Sequence, residues 1–151
     1  MRQFVKFILL VVLLWFVPSE SIAQKSGRNS GSVIDTWASA TDDSSIGRAF
    51  KNRTSNIQVE GEGTVSRVLP DDLNGSRHQR FIVQLASGQT LLITHNIDIA
   101  PRIDGLKAGD LVSFNGEYVW NAEGGVIPWT HHDPQGRHVA GWVIHDGKTY
   151  Q

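Results

Sequence analysis

IQVEGEGTVSRVLPDDLNGSRHQRFIVQLASGQTLLITH, residues 57–95, decides the fold. Ile57, Val59, Gly61 and Gly63 fall on one face ahead of Val65, the period of two that marks a half-buried strand. The paired glycines on that face predict a bulged, strongly coiled strand. DDLNGSR, residues 71–77, is turn chemistry, with Asn74-Gly75 as the hairpin signal. In HQRFIVQL, Phe81, Val83 and Leu85 alternate with polar neighbours. Ser87-Gly88 turns the chain into QTLLITH, where Leu91, Ile93 and His95 share a face. The whole stretch reads as a three-stranded meander.

Downstream, residues 96–108 interrupt the strands and include Pro101, so they read as a helical turn or an irregular crossover. LKAGDLVSFNGEYVW then aligns Val112, Phe114, Gly116 and Tyr118 on one face. Gly124-Gly125 turns into VIPWT, and VAGWVIHDGKTY closes the chain, with Asp146-Gly147 as a two-residue hairpin turn. Upstream, residues 45–53 suit a short helix capped by Ser44 or Ser45, with Ile46 and Phe50 four residues apart. The order of coiled strand, meander, non-strand crossover and closing hairpin predicts an all-β domain, a small OB-like Greek-key barrel with a short N-terminal helix. The alternative is an immunoglobulin-like β-sandwich.

The N-terminus reads as an export signal. Arg2 and Lys6 precede an apolar run at residues 7–17, which Pro18 breaks, and Ser21-Ile22-Ala23 supplies small residues ahead of a cut before Gln24. A membrane span needs roughly 20 apolar residues, about twice this run. The expected division is a secretory signal peptide at 1–23, a flexible lead-in at 24–44 and a single β-barrel domain at 45–151. The expected location is periplasmic or extracellular. The sequence has no cysteine, which excludes disulfides, thiolate metal sites and a lipidated cysteine anchor. Of 14 basic and 15 acidic residues, loss of Arg2, Lys6 and Glu20 leaves 12 and 14. That balance argues against gripping nucleic acid by bulk charge, although local basic clusters remain open.

All six histidines lie in the second half of the chain. Arg77, His78 and Arg80 open the second strand. His95, Asn96 and Asp98 follow the third. Trp129, His131, His132 and Asp133 sit at another strand end, with His138 six residues beyond His132. Strand ends of a barrel converge on one rim, where sites are built. Arg77, His78, Arg80, His95, Asn96, Asp98 and Trp129 are therefore candidate ligand contacts. His131, His132, Asp133 and His138 are candidate ligands for a divalent metal such as zinc. Adjacent residues of an extended segment point to opposite sides, so His131 and His132 can share an ion only if the chain turns there. The alternatives are that the histidines bond loop backbone, face solvent or act as acids and bases without metal. Arg77, Arg80 and Arg102 either bind an anion or pair with Asp98, Asp104 or Glu117. Asp71-Asp72-Leu73-Asn74-Gly75 reads as turn chemistry in preference to a calcium loop. Phe81 and Trp142 are expected in the core, and Trp129 is expected to be the exposed tryptophan.

The strings RHQRF, HNIDIAPRI and WTHHDP, with LPDDLNGS, GDLVSFNGEYVWN and PQGRH around them, resemble a family of small exported bacterial proteins classed as a domain of unknown function. The resemblance covers residues 56–151. The family pattern often has histidine before the WTHHDP tryptophan, where this chain has Pro128. If that histidine is a metal ligand in relatives, this member binds metal weakly or not at all. The resemblance implies no reaction. From the residues, the first expectation is a non-catalytic module binding a small ligand, an oligomer or a partner protein. The second is a metal-assisted hydrolase, such as a phosphodiesterase or nuclease, with Arg77 or Arg80 stabilising phosphoryl charge.

Overall fold

The computed structural model describes residues 45–151. The export signal and the lead-in expected over 1–44 lie outside the described residues.

β1 (Ile57–Asp72) is the spine of the sheet. Its first half pairs antiparallel with β4 (Leu111–Tyr118), from Ile57 opposite Tyr118 to Thr64 opposite Leu111. Its second half pairs antiparallel with β2 (His78–Leu85), from Gly63 opposite Leu85 to Asp72 opposite His78. A strand that serves two neighbours in succession must bend between them. The register shift that marks the bend lies between Val65 and Arg67, after the glycines and not at them. Gly63 serves close approach: a Cβ there would lie 2.5 Å from the Gln84 carbonyl oxygen.

β3 (Thr90–Asn96) continues the meander antiparallel to β2. β5 (Val126–Ile127) then pairs parallel with β3. Val126 also exchanges both backbone hydrogen bonds with Val119, just past β4, at 2.8 and 2.9 Å. The sheet thus curls back toward its own far side, with β5 as the seam. β6 (Trp142–His145) and β7 (Lys148–Tyr150) form the closing hairpin beyond β4. One seven-stranded sheet in the order β5-β3-β2-β1-β4-β6-β7, with a parallel β3–β5 pair, follows the OB-like path and not two stacked antiparallel sheets. β5 stops after two residues because Pro128 has no N–H to donate, so the VIPWT segment is strand only at its start.

The alternation read from sequence is the burial observed. Phe81, Val83, Leu91, Ile93, Phe114 and Tyr118 are wholly or almost wholly enclosed. Trp142 departs from expectation: it faces outward on β6 and is half-buried. The expected short helix spans residues 45–52 of the described chain and puts Ile46 and Ala49 into the core. Trp120 fixes its end, donating from Nε1 at 3.1 Å to the Phe50 carbonyl, which also accepts from the Arg53 N–H of the last turn at 3.1 Å. Among the described residues, no helix is long and apolar enough to cross a membrane.

Candidate functional site

β2 starts, and β3 and β5 end, at one end of the curled sheet. His78 faces Asn96 across the β2–β3 ladder, and the chain leaving β5 brings Trp129 and His131 alongside. His78, Asn96, Trp129, His131 and Asp133 border a cleft of about 400 Å³ at this end. Sequence reasoning singled out all five. It did not single out Arg137, Gln135, Ile99 or Ser76, which border the same cleft. The first two lie in the PQGRH string, whose path depends on a fold of the loop that carries no periodicity.

Asp133 creates that fold. Its carboxylate is almost entirely enclosed and accepts from the backbone N–H groups of Gln135 at 2.9 Å, Arg137 at 2.7 Å and His138 at 3.1 Å. The Gln135 N–H is foremost in holding this carboxyl below the usual range, and the other two N–H groups add to it. The chain is tied again where Gly141 N–H donates to the His131 carbonyl at 3.0 Å. A Cβ on Gly141 would lie 2.0 Å from the Trp129 carbonyl oxygen, so only glycine fits this tie. The loop so closed lays the His138 ring on the Trp129 indole, centroids 3.6 Å apart and planes 19° from parallel. His138 Nδ1 also lies 3.4 Å from Glu117 Oε2. The indole therefore stands between His138 and the cleft, held from behind.

The histidines divide into distinct roles. His95 is fully buried, with Nε2 bonded to the Pro101 carbonyl at 3.1 Å and Nδ1 to the Thr130 hydroxyl at 2.9 Å. Because a carbonyl only accepts, Nε2 carries the proton and Nδ1 accepts. Burial pushes its pKa down to about 4, so the ring is neutral at pH 7. Both nitrogens are committed to the fold, and His95 is not among the cleft residues. His131 and His132 point to opposite sides, as adjacent extended residues should: His131 is 2% exposed and His132 is open to solvent. His131 Nδ1 bonds the His132 carbonyl at 2.9 Å, and His78 Nδ1 bonds the Ser76 carbonyl at 2.7 Å.

The arginines and acids named from sequence pair with the fold. Arg77 Nε holds Asp98 at 2.6 Å, and its backbone N–H donates to the same carboxylate at 2.7 Å. That backbone bond, with the side-chain bond second, draws the Asp98 carboxyl below its ordinary range. Arg80 Nε donates to the Pro70 carbonyl, and Arg102 pairs with Asp71 and Asp104. Among the described residues, no three histidine or acidic side chains gather closely enough to hold a metal ion. The lone pairs of Asp133 are already directed at backbone N–H groups. The set His131, His132, Asp133 and His138 is spread over a buried ring, an exposed ring, a loop cap and a stacked ring.

Fold and cleft together define a small all-β domain, a curled, partly closed barrel of OB-like path with a polar cleft at one rim. The chain belongs to the family described as "Protein of unknown function (DUF3465)", whose model matches residues 30–151. None of the curated proteins matches the chain.

Proposed function

We propose that this protein is an exported, non-catalytic binding module whose small ligand enters the cleft between Trp129, His131, His78 and Asn96. One observation carries the reading: the cleft joins an indole wall to polar atoms that no other described residue engages, the usual make-up of a ligand site. Its walls are fixed in advance by the Asp133 cap and the His138 stack, so little ordering is required on binding. Export is supported by the basic, apolar and small-residue order of residues 2–23. The hydrolytic alternative lacks comparable support, since among the described residues neither a metal-ligand cluster nor a free carboxylate base lies in the cleft.

The test is a small-molecule screen on protein recovered after export, read by melting temperature and by NMR shifts at Asn96, Trp129 and His131. Binders that move those three signals are expected, together with a mature N-terminus at Gln24. A screen in which no compound moves them would overturn the binding reading, and protein that keeps residues 1–23 would overturn export.

A further inference from the structure

We infer that the cleft takes a small neutral polyhydroxylated molecule of the saccharide class, an inference that rests on the binding-module reading and specifies its ligand. The deciding atom is Nε2 of His131. Nδ1 of this ring faces a carbonyl, which only accepts, so Nδ1 carries the proton. Nε2 is the remaining polar atom of a side chain that is 2% exposed and borders the cleft, and among the described residues it has no hydrogen-bond partner. His78, which borders the same cleft, repeats the arrangement: Nδ1 donates to the Ser76 carbonyl, and among the described residues Nε2 has no hydrogen-bond partner. Two backbone carbonyls thus set two imidazoles in the tautomer that offers a lone pair.

The opposite polarity is also present. Asn96 uses Oδ1 to accept from the Asp98 N–H at 2.9 Å, which leaves its amide NH₂ as a donor. The Arg137 guanidinium lies 3.8 Å from its nearest carboxylate and is 62% exposed, so it too can donate. Trp129, Pro128, Pro134 and Ile99 supply apolar wall between these groups.

The ligand must therefore donate to two imidazole nitrogens and accept from an amide and a guanidinium, over an indole. A hydroxyl does both through one oxygen. A carboxylate, or a phosphate oxygen that carries no proton, only accepts, and would meet the lone pair of the neutral His131 ring with its own. A metal ion could use the two Nε2 atoms, but no third histidine or acidic side chain joins them among the described residues, and protein zinc sites use three or four. A sugar face of C–H groups also suits an indole wall, and one or two rings suit about 400 Å³.

The test is titration calorimetry with glucose, N-acetylglucosamine, trehalose and myo-inositol, beside inorganic phosphate, succinate and zinc chloride. It is paired with long-range ¹H–¹⁵N NMR of the histidine rings. At least one neutral polyol should bind and shift the His131 Nε2 resonance. Its affinity should fall by about tenfold or more in His131→Phe, which keeps a ring but loses the acceptor. Because His131 is buried and that variant could misfold, His78→Phe at the cleft mouth is measured in parallel and should also weaken binding. The inference is overturned if no polyol binds, or if polyols bind the wild type and a folded variant equally. It is also overturned if only phosphate, succinate or zinc binds. Binding of an anion or metal at the same residues would leave the binding-module reading standing, whereas a cleft silent to these probes and to the wider screen would remove both.

Discussion

Gln79 and His95 sit directly opposite each other on β2 and β3, and both side chains reach inward to the backbone of the same crossover. Gln79 donates to the Ile103 carbonyl at 2.9 Å and accepts from the Ile103 N–H at 2.8 Å. His95 bonds the Pro101 carbonyl two residues earlier. One cross-strand pair thus holds the irregular segment between β3 and β4, whose backbone polar groups have no ladder of their own.

Gln79→Leu should be among the most destabilising conservative changes in the domain. It strips partners from both the N–H and the carbonyl of fully buried Ile103. The expected cost is roughly 2–4 kcal/mol, since each orphaned buried group costs about 1–3. Urea unfolding should show a lower midpoint with an unchanged slope. A midpoint equal to wild type would mean that the clasp does not hold the crossover.

His95 makes the fold sensitive to acid. Its folded pKa of about 4 lies below the ordinary 6.5, so between these values the unfolded chain holds the extra proton. Stability is then fully present above pH 6.5 and is lost as pH falls toward 4, by about 3 kcal/mol over that window. Unfolding curves taken at intervals from pH 7 to 4 should show this slope, and His95→Gln should flatten it. An unchanged slope in that variant would assign the effect to other groups.

Asp133→Asn tests the loop cap without changing its size. The charged carboxylate accepts from three backbone N–H groups, and an amide cannot serve all three as well. Hydrogen exchange at Gln135, Arg137 and His138 should accelerate while exchange in β1 and β2 stays as in wild type. The folded pKa is depressed, so the cap is present above the ordinary carboxylate pKa and is lost as pH falls through the lowered value. Uniform acceleration across the sheet would contradict a local role.

Gly141→Ala drives a methyl group into backbone, 2.0 Å from the Trp129 oxygen and 2.5 Å from that of Asn115. Neither oxygen belongs to a movable side chain. A loss of ~3 kcal/mol is expected, along with a shift of the Trp129 indole N–H resonance as the His138 stack separates. An unmoved indole signal would show that the loop absorbs the change elsewhere.

The barrel was legible because most of its strands bury one face only. Alternation at Phe81, Val83 and Leu85 and at Val112, Phe114 and Tyr118 is a direct imprint of that burial. The strand expected over VIPWT was too long, since tertiary pairing ends where Pro128 has no hydrogen to give. Trp142 was expected inside from the burial tendency of aromatic residues, and its register opposite Asn115 turns it outward. In the cleft, His78, Asn96, Trp129 and His131 were visible as polar or aromatic residues at strand ends. The opposite roles of His95 and His131 were not. One ring has both nitrogens bonded, to Thr130 and Pro101, and the other has only Nδ1 bonded, to its own neighbouring carbonyl, and no spacing encodes that difference. Arg137 and Gln135 stayed hidden because a side-chain cap, not periodicity, sets the shape of their loop.

The seam at β5 links the rim to the lifetime of the molecule. Two parallel ladder pairs and one bridge join the meander to the far side of the sheet there. Asn96 ends one flank of this seam, and His131 follows the other within a few residues. A ligand gripping both would stitch the flanks together and suppress the local opening that exposes chain to proteases. Wherever proteases set its lifetime, occupied copies would then outlast empty ones, and abundance itself would report whether the ligand is present.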